Sequence, residues 1–453
     1  MSNNGSPVRF SEEKLNEVLN YKLKIPPYQR NYCWEEHHVR TLLNDLLAIK
    51  TESYFLGTII LHEKNDQEDN NVIYDIIDGQ QRLITLGILR YRIYGENCSL
   101  LEEKLLSNNA LYRIQENDSI IKSFLQVNGH TDALKAALEK VTFGVLVVNN
   151  DHLDLAFTFF TNTNSRGVPL TDYDLLKPHH LRYISSDFPE QQQLLAEEWD
   201  RMISAGRKLS DSPDKRRDAA YIRVIELYLF RLRKWSRNKE CIENGKFIYN
   251  EFKSASVIDE IPPFGERFNY YEPIQGGQHF FEYVDHFMQK YHEFTTTGKI
   301  DPETGKPNPV SEVLKDYFSG YSDKWYRYVI EALVFAYYLK FGTRFIEEAT
   351  LTIIRYISQI RFEKGRAYEP TIVRFANDSG IPIIIEQSSS PTFFLAEMES
   401  LINGLNGINI GDKGIRNYFL RCCEGATNVL SNRCDTKYFK DYFKTRYGSI
   451  KTQ

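Results

Sequence analysis

The chain has 453 residues, 42 % of them hydrophobic and 13 % aromatic, with a formal net charge of −5. That length predicts two to three domains with ample core, and that charge excludes a protein that coats nucleic acid over its whole surface, although it leaves room for a local basic patch. No apolar run approaches the roughly 20 residues a membrane helix needs, the N-terminal MSNNGSPVRF lacks the apolar stretch of a signal peptide, and no Cys-x-x-Cys pair occurs among the six cysteines, so a reduced, cytoplasmic protein without a membrane partner is expected.

Ser11 to Asn20 reads as a short helix with Ser11 as N-cap and acids in its first turn. Lys22 to Ile25 reads as a strand stopped by Pro26-Pro27, and Glu35 to Ile49 as a helix, with Val39, Leu42, Leu43, Leu46 and Leu47 at helical spacing. Tyr54 to His62 and Val72 to Ile77 are predicted to pair as a hairpin across a polar turn. A helix follows from about Gln81 to Tyr94. Val141 to Val148 reads as a strand and Asp151 to Thr161 as a helix. Gly167 and Pro169 stop that helix, and Thr171 with Asp174 three residues on opens another.

Beyond Ile184 the pattern changes to helices: Gln191 to Met202, Ala219 to Arg237, Phe280 to Phe294, Asp323 to Phe341 and Phe345 to Phe362. One short strand is expected at 381–385 (IPIII), and 295–310 reads as a polar, mobile loop. The expected class is α+β: an N-terminal α/β domain over 1–188 and a mainly helical domain over 189–453.

Three polar clusters interrupt the first domain. In IIDGQQRLITL (76–86) an apolar strand turns at Asp78-Gly79 into a helix carrying Gln80, Gln81 and Arg82. Backbone N–H groups at such a helix start favour an anion. Gly79 permits close approach, Arg82 adds a forked donor, and Asp78 suits a bridging magnesium ion, a hold on Arg82 or a water. An N-cap, a turn glycine and solvated side chains explain the same pentapeptide. In IPPYQRNYCWEEHH a stiff Pro26-Pro27 precedes Tyr28, Gln29 and Arg30, with Tyr32 and Trp34 nearby, a set that suits a stacked base and its phosphate or simply a well-packed loop. In TNTNSRGVPLTDYDLLK, capping accounts for Gly167, Thr171 and Asp174 and leaves Asn164 and Arg166 unexplained.

Taken together, Ile25-Pro26-Pro27-Tyr28-Gln29-Arg30, Phe55 to Ile59, Ile77 to Leu83, Asn164 to Leu170 and Asp174 to Lys177 resemble the DUF262 family, the N-terminal domain of GmrSD-type, modification-dependent restriction systems, over roughly residues 8 to 185. The resemblance implies a ParB/sulfiredoxin-like domain that binds, and in several members hydrolyses, nucleoside triphosphates. It implies that Asp78, Gly79, Gln80, Gln81 and Arg82 line one pocket with Tyr28, Gln29, Arg30, Asn164 and Arg166. Asp78, Gln81 and Arg82 would then be catalytic, with Asp78 a ligand for Mg2+, and catalysis would consist of positioning and charge neutralisation at the phosphoryl group.

Many relatives end in a His-Asn-His nuclease, which needs a histidine base. The last histidine here is His292, so DNA cleavage by such a domain is not expected. His279, His286 and Asp285 share a helix without an evident third ligand, and a packing role is favoured over a metal site. Of the basic clusters, RLRKWSRNK, with Arg231, Arg233, Lys234 and Arg237 around Trp235, is the best candidate to contact nucleic acid, against the plainer reading of a solvated face. The expected function is an NTP-binding, NTP-hydrolysing sensor of an anti-phage or restriction system, with DNA, modified or plain, and a separate nuclease or defence subunit as partners. Its rivals are a non-catalytic ParB-like DNA-binding or scaffold protein and a nuclease with an unfamiliar C-terminal site.

Overall fold

The computed structural model describes residues 7–65, 72–102, 108–149, 171–184, 189–207, 219–239, 247–253, 268–297, 324–360 and 368–403, together with four isolated positions. The chain divides into two units, Met1–Arg201 with Gly276–Gln278, and Met202–Gln275 with His279–Gln453.

In chain order the first unit contains β1 (Val8–Lys14), α1 (Leu15–Leu19), β2 (Leu23–Lys24), α2 (Glu36–Leu47), β3 (Tyr54–Asn65), β4 (Val72–Asp78), α3 (Gln80–Tyr94), α4 (Ser99–Glu102), α5 (Asn108–Leu125), α6 (His130–Leu138), β5 (Val141–Val148) and α7 (Asp172–Leu181). Helix α8 (Pro189–Arg207) begins in this unit. The strands form one mixed sheet in the order β1-β5-β3-β4-β2. β3–β4 is the predicted antiparallel hairpin, β3–β5 and β2–β4 are parallel, and β1–β5 is antiparallel. Leu42, Leu43 and Leu46 of α2, Leu83 and Leu86 of α3 and Ile121 of α5 bury together with Ile59, Ile76, Phe143 and Val145 of the sheet.

Ser11 is not a helix cap. It lies inside β1, where it pairs with Val145, and the helix starts only at Leu15. A 3.6-residue pattern and a two-residue pattern overlap in SEEKLNEVLN, and pairing along β5 decides between them.

Two irregularities interrupt the sheet. β3 shifts register against β5 between Phe55 and Thr58, with Gly57 at φ 102°. β4 shifts against β3 because Ile60 pairs with Asp78 while Leu61 pairs with Ile76, which skips Ile77. Both bulges lie where β3 and β4 approach the start of α3, and each removes main-chain groups from the regular ladder.

The elements described in the second unit are all helices. Its central helix, Lys324–Phe341, packs on Ile346–Ile357, Glu369–Asp378 and Ile381–Gln387. It also packs on Arg223–Leu229, a π-helical stretch within the helical run from Ala220 to Ser236. Residues 381–385 are a correction to the expected strand: they lie in helix Ile381–Gln387, which starts at Gly380 (φ 66°) with proline in its first turn. Ile381 and Ile385 are both fully buried, one helical turn apart. No helix among the described residues is long and apolar enough to cross a membrane.

Candidate anion site at the start of α3

β4 delivers Asp78 to the N-terminus of α3. Between them Gly79 adopts φ 96°, and a Cβ there would stand 2.5 Å from Ile59 Cγ2, so the turn requires glycine. Gly79 has no side chain to cap the 15-residue helix, and no acidic residue occupies its first turn. The partial positive charge of this helix end is therefore uncompensated from within the helix.

The polar residues of the Asp-Gly-Gln-Gln-Arg box divide into distinct tasks. Arg82 Nη1 donates to the Leu56 carbonyl at 3.0 Å and Nη2 to the Thr58 carbonyl at 2.7 Å, so its fork closes over the Gly57 bulge. A Cβ on Gly57 would lie 2.6 Å from Arg82 Nη1. Arg82 Nη2 also lies 3.5 Å from Asp78 Oδ2, and Asp78 Oδ1 accepts from its neighbour Gly79 N at 2.7 Å. Burial pushes the Asp78 carboxyl above the usual aspartate range, opposed by Arg82, the Gly79 N–H and Arg30. Burial likewise lowers the Arg82 guanidinium from its ordinary value, opposed by Asp78. Each shift is the mark of a charge held in a poorly solvated place.

Gln81 is buried. Its Oε1 accepts from Cys33 N at 2.8 Å and Trp34 N at 3.2 Å, and its Nε2 donates to Asn31 O at 3.4 Å. It ties the segment 29–34 to α3. Gln80 is also buried, at 4 % exposure, and among the described residues its Oε1 has no hydrogen-bond partner.

The strap formed by residues 26–34 is fastened from several sides. Gln29 Nε2 donates to Ile77 O at 2.6 Å, which satisfies the residue skipped in the β4 bulge. Asn117 Nδ2 donates to Tyr32 Oη at 3.1 Å and to Trp34 O at 2.8 Å. Tyr32 Oη is hydrogen-bonded to Thr85 Oγ1 at 2.7 Å, and Thr85 Oγ1 itself donates to Gln81 O. Burial pushes the Tyr32 phenol up to about 12. Tyr28 is buried, and burial with Asp75 raises its phenol well above the ordinary value.

Arg30 stands apart from this set. It is half-buried, and among the described residues it makes no hydrogen bond and no ion pair. It is close enough to influence the ionisation of both Asp78 and His38. Of the two arginines in the two boxes, Arg30 is the one that no hydrogen bond or ion pair among the described residues holds. Gln29, Gln81 and Arg82 are held by the fold. Asn164 and Arg166 lie outside the described residues.

The basic cluster of the second unit requires a correction. Arg231 and Arg233 are buried, at 0 % and 2 % exposure, so they do not present themselves to nucleic acid. Arg231 pairs with Glu369 at 2.9 Å. Arg233 Nε pairs with Glu251 at 2.9 Å while its Nη1 donates to the carbonyls of Tyr270 and Glu272. Lys234 and Arg237 are partly exposed and also reach Glu251. Trp235, expected to assist binding, is buried. These side chains organise a helical core. His279 and His286 both pack on Phe268. Among the described residues no group of three or more His, Cys, Asp or Glu side chains is placed to hold a metal ion.

Residues 10–181 match the N-terminal domain of the GmrSD restriction endonuclease, and residues 264–410 match DUF7834, a family of unknown function. No curated protein matches the chain. The segment that builds the β4–α3 turn and its strap thus lies within the region that matches the restriction-system-associated GmrSD N-terminal domain, and in this chain a region that matches DUF7834 follows it.

Proposed function

We propose that the first unit binds and hydrolyses a nucleoside triphosphate and serves as the sensing or regulatory part of a bacterial anti-phage or restriction system. The observation that carries this reading is that Arg30, a guanidinium without a partner among the described residues, lies close enough to Asp78 to influence its ionisation, and Asp78 directly precedes the uncapped start of α3. A triphosphate would complete both features: its terminal oxygens would meet the first-turn N–H groups and the Arg30 fork.

The roles differ from those expected of the motif as a whole. Arg30 contacts the phosphoryl oxygens and offsets the charge that develops on them. Gln80 offers its unmatched carbonyl to a ligand N–H or a water. Arg82, Gln81 and Gln29 hold the turn and the strap. Asp78 is a single carboxylate, and Mg2+ commonly takes one or two carboxylates and completes its shell with phosphate oxygens and water. Asp78 would hold the ion, which would supply charge neutralisation at the phosphates. A separate nuclease or defence subunit, and DNA, are the proposed partners.

The test is phosphate release from ATP, GTP, CTP and UTP with magnesium by the purified full chain, beside Arg30→Ala. Release by the wild type and its loss in the variant support the reading. No release from any nucleotide, together with DNA binding that is lost in Arg30→Ala, favours a ParB-like DNA-binding protein instead.

A further inference from the structure

In the sequence Lys177 is only the last letter of a motif. In the fold it is 3 % exposed and sits where three segments meet. Its Nζ donates to the main-chain carbonyl of Gln29 at 2.9 Å and to Asp200 Oδ2 at 2.9 Å. The same Asp200 oxygen accepts from Asn31 Nδ2 at 3.0 Å. Gln29 and Asn31 are the two neighbours of Arg30. One buried ammonium and one carboxylate therefore grip the chain on both flanks of the guanidinium that has no partner of its own among the described residues. Asp200 belongs to α8, beyond the segment 10–181 matched by the GmrSD domain.

We propose that Lys177 and Asp200 are a positioning pair for Arg30. This rests on the nucleotide-binding reading of the α3 site. A buried ion pair rarely adds net stability over well-packed apolar side chains, because both ions must leave water. What this pair supplies is geometry: joined to each other, Lys177 holds the main-chain carbonyl of Gln29 and Asp200 holds the side-chain amide of Asn31, on either side of a single residue. A guanidinium misplaced by about 1 Å can lose its advantage by about a hundredfold. Because Asp200 comes from the following helix, the site is completed by chain outside the GmrSD domain, and a displacement of α8 would loosen Arg30.

The experiment compares the full chain with Asp200→Asn, Lys177→Met, Arg30→Ala and the Arg30→Ala/Asp200→Asn double variant. Affinity is read with fluorescent ATP and GTP analogues, and backbone ordering by hydrogen exchange across residues 29–34. The expected result is faster exchange at Cys33 and Trp34 in Asp200→Asn and Lys177→Met, with nucleotide affinity reduced about tenfold or more in each. In the Arg30→Ala background Asp200→Asn should cause no further loss of affinity, since the residue it positions has gone. An equal loss in both backgrounds, or unchanged exchange in the single variants, overturns the proposal. If the wild type binds no nucleotide, the reading of the α3 site fails, and the pair is then judged by exchange alone: faster exchange upholds it and unchanged exchange ends it.

Discussion

Arg82 and Thr58 are joined by a 2.7 Å hydrogen bond from guanidinium to main-chain carbonyl. Its companion to Leu56 O makes the arginine of the Asp-Gly-Gln-Gln-Arg box a brace for a bulge in the sheet. Lysine can place only one nitrogen there, and alanine none. Arg82→Lys and Arg82→Ala should each destabilise the first unit, by about 1–3 kcal/mol for the partly buried carbonyls left unmatched. Urea unfolding followed by far-UV dichroism measures this. Arg30→Ala should leave the midpoint almost unchanged, and a large drop for Arg30→Ala would contradict the assignment of roles.

Gly79 in the β4–α3 turn and Gly57 in the β3 bulge both lie against Arg82. Both have φ near +100°, and a Cβ on either would press on Ile59 or Arg82. Gly79→Ala meets a rigid branched side chain, so a cost of about 1–3 kcal/mol is expected from strain at that φ, with the clash adding to it. Gly57→Ala meets the end of a longer side chain and should also break the Arg82 brace. A Gly79→Ala protein as stable as the wild type would show that the turn does not need its left-handed residue.

Burial raises the Asp78 carboxyl. A carboxyl whose pKa is higher in the folded protein binds its proton more tightly there than in the unfolded chain. Its contribution to stability is therefore complete at acid pH below the unfolded value and declines as pH climbs through the raised value. Asp78→Asn should flatten that part of the stability profile. Magnesium-dependent nucleotide binding should run the other way, strengthening as pH rises through the same range, because the ion needs the carboxylate. Titration of nucleotide affinity against pH, with the asparagine variant as control, separates the two trends.

Arg233→Ala would leave Glu251 without its most buried partner, and Arg231→Ala would do the same to Glu369. Removing one member of a buried pair typically costs about 3–5 kcal/mol. Arg233→Ala should lower the thermal midpoint of the helical unit far more than Arg237→Ala, whose side chain is partly exposed. Equal, small effects would mean that the cluster is a surface feature after all.

Much of the first unit was legible because its elements are marked locally. The β3–β4 hairpin, the α2 spacing and the Thr171/Asp174 capping box could be read from neighbours a few residues apart, and the box does close, with Asp174 Oδ2 accepting from Thr171 N at 2.9 Å. Residues 381–385 deceived because a run of β-branched side chains suits a strand, yet Gly380 and Pro382 are also a good helix start, and burial one turn apart settles the choice. The turn at Asp78-Gly79 was legible in the sequence, and the hydrogen-bond partners of the polar residues around it were not. Nothing near Arg82 in sequence announces the carbonyls of Leu56 and Thr58, and Lys177 meets Gln29 across 148 positions. Arg231 and Arg233 look like a charged surface in sequence, since their partners Glu369 and Glu251 lie far along the chain.

The strap that carries Arg30 is tied down before any ligand arrives, by Gln29 to Ile77, by Gln81 to Cys33 and Trp34 and by Lys177 to Gln29. Little chain entropy then remains to be lost when an anion docks, so capture should approach lock-and-key behaviour. If the anion is the proposed nucleotide, the encounter rate, more than a slow rearrangement afterwards, would govern how quickly the domain responds to a change in its concentration.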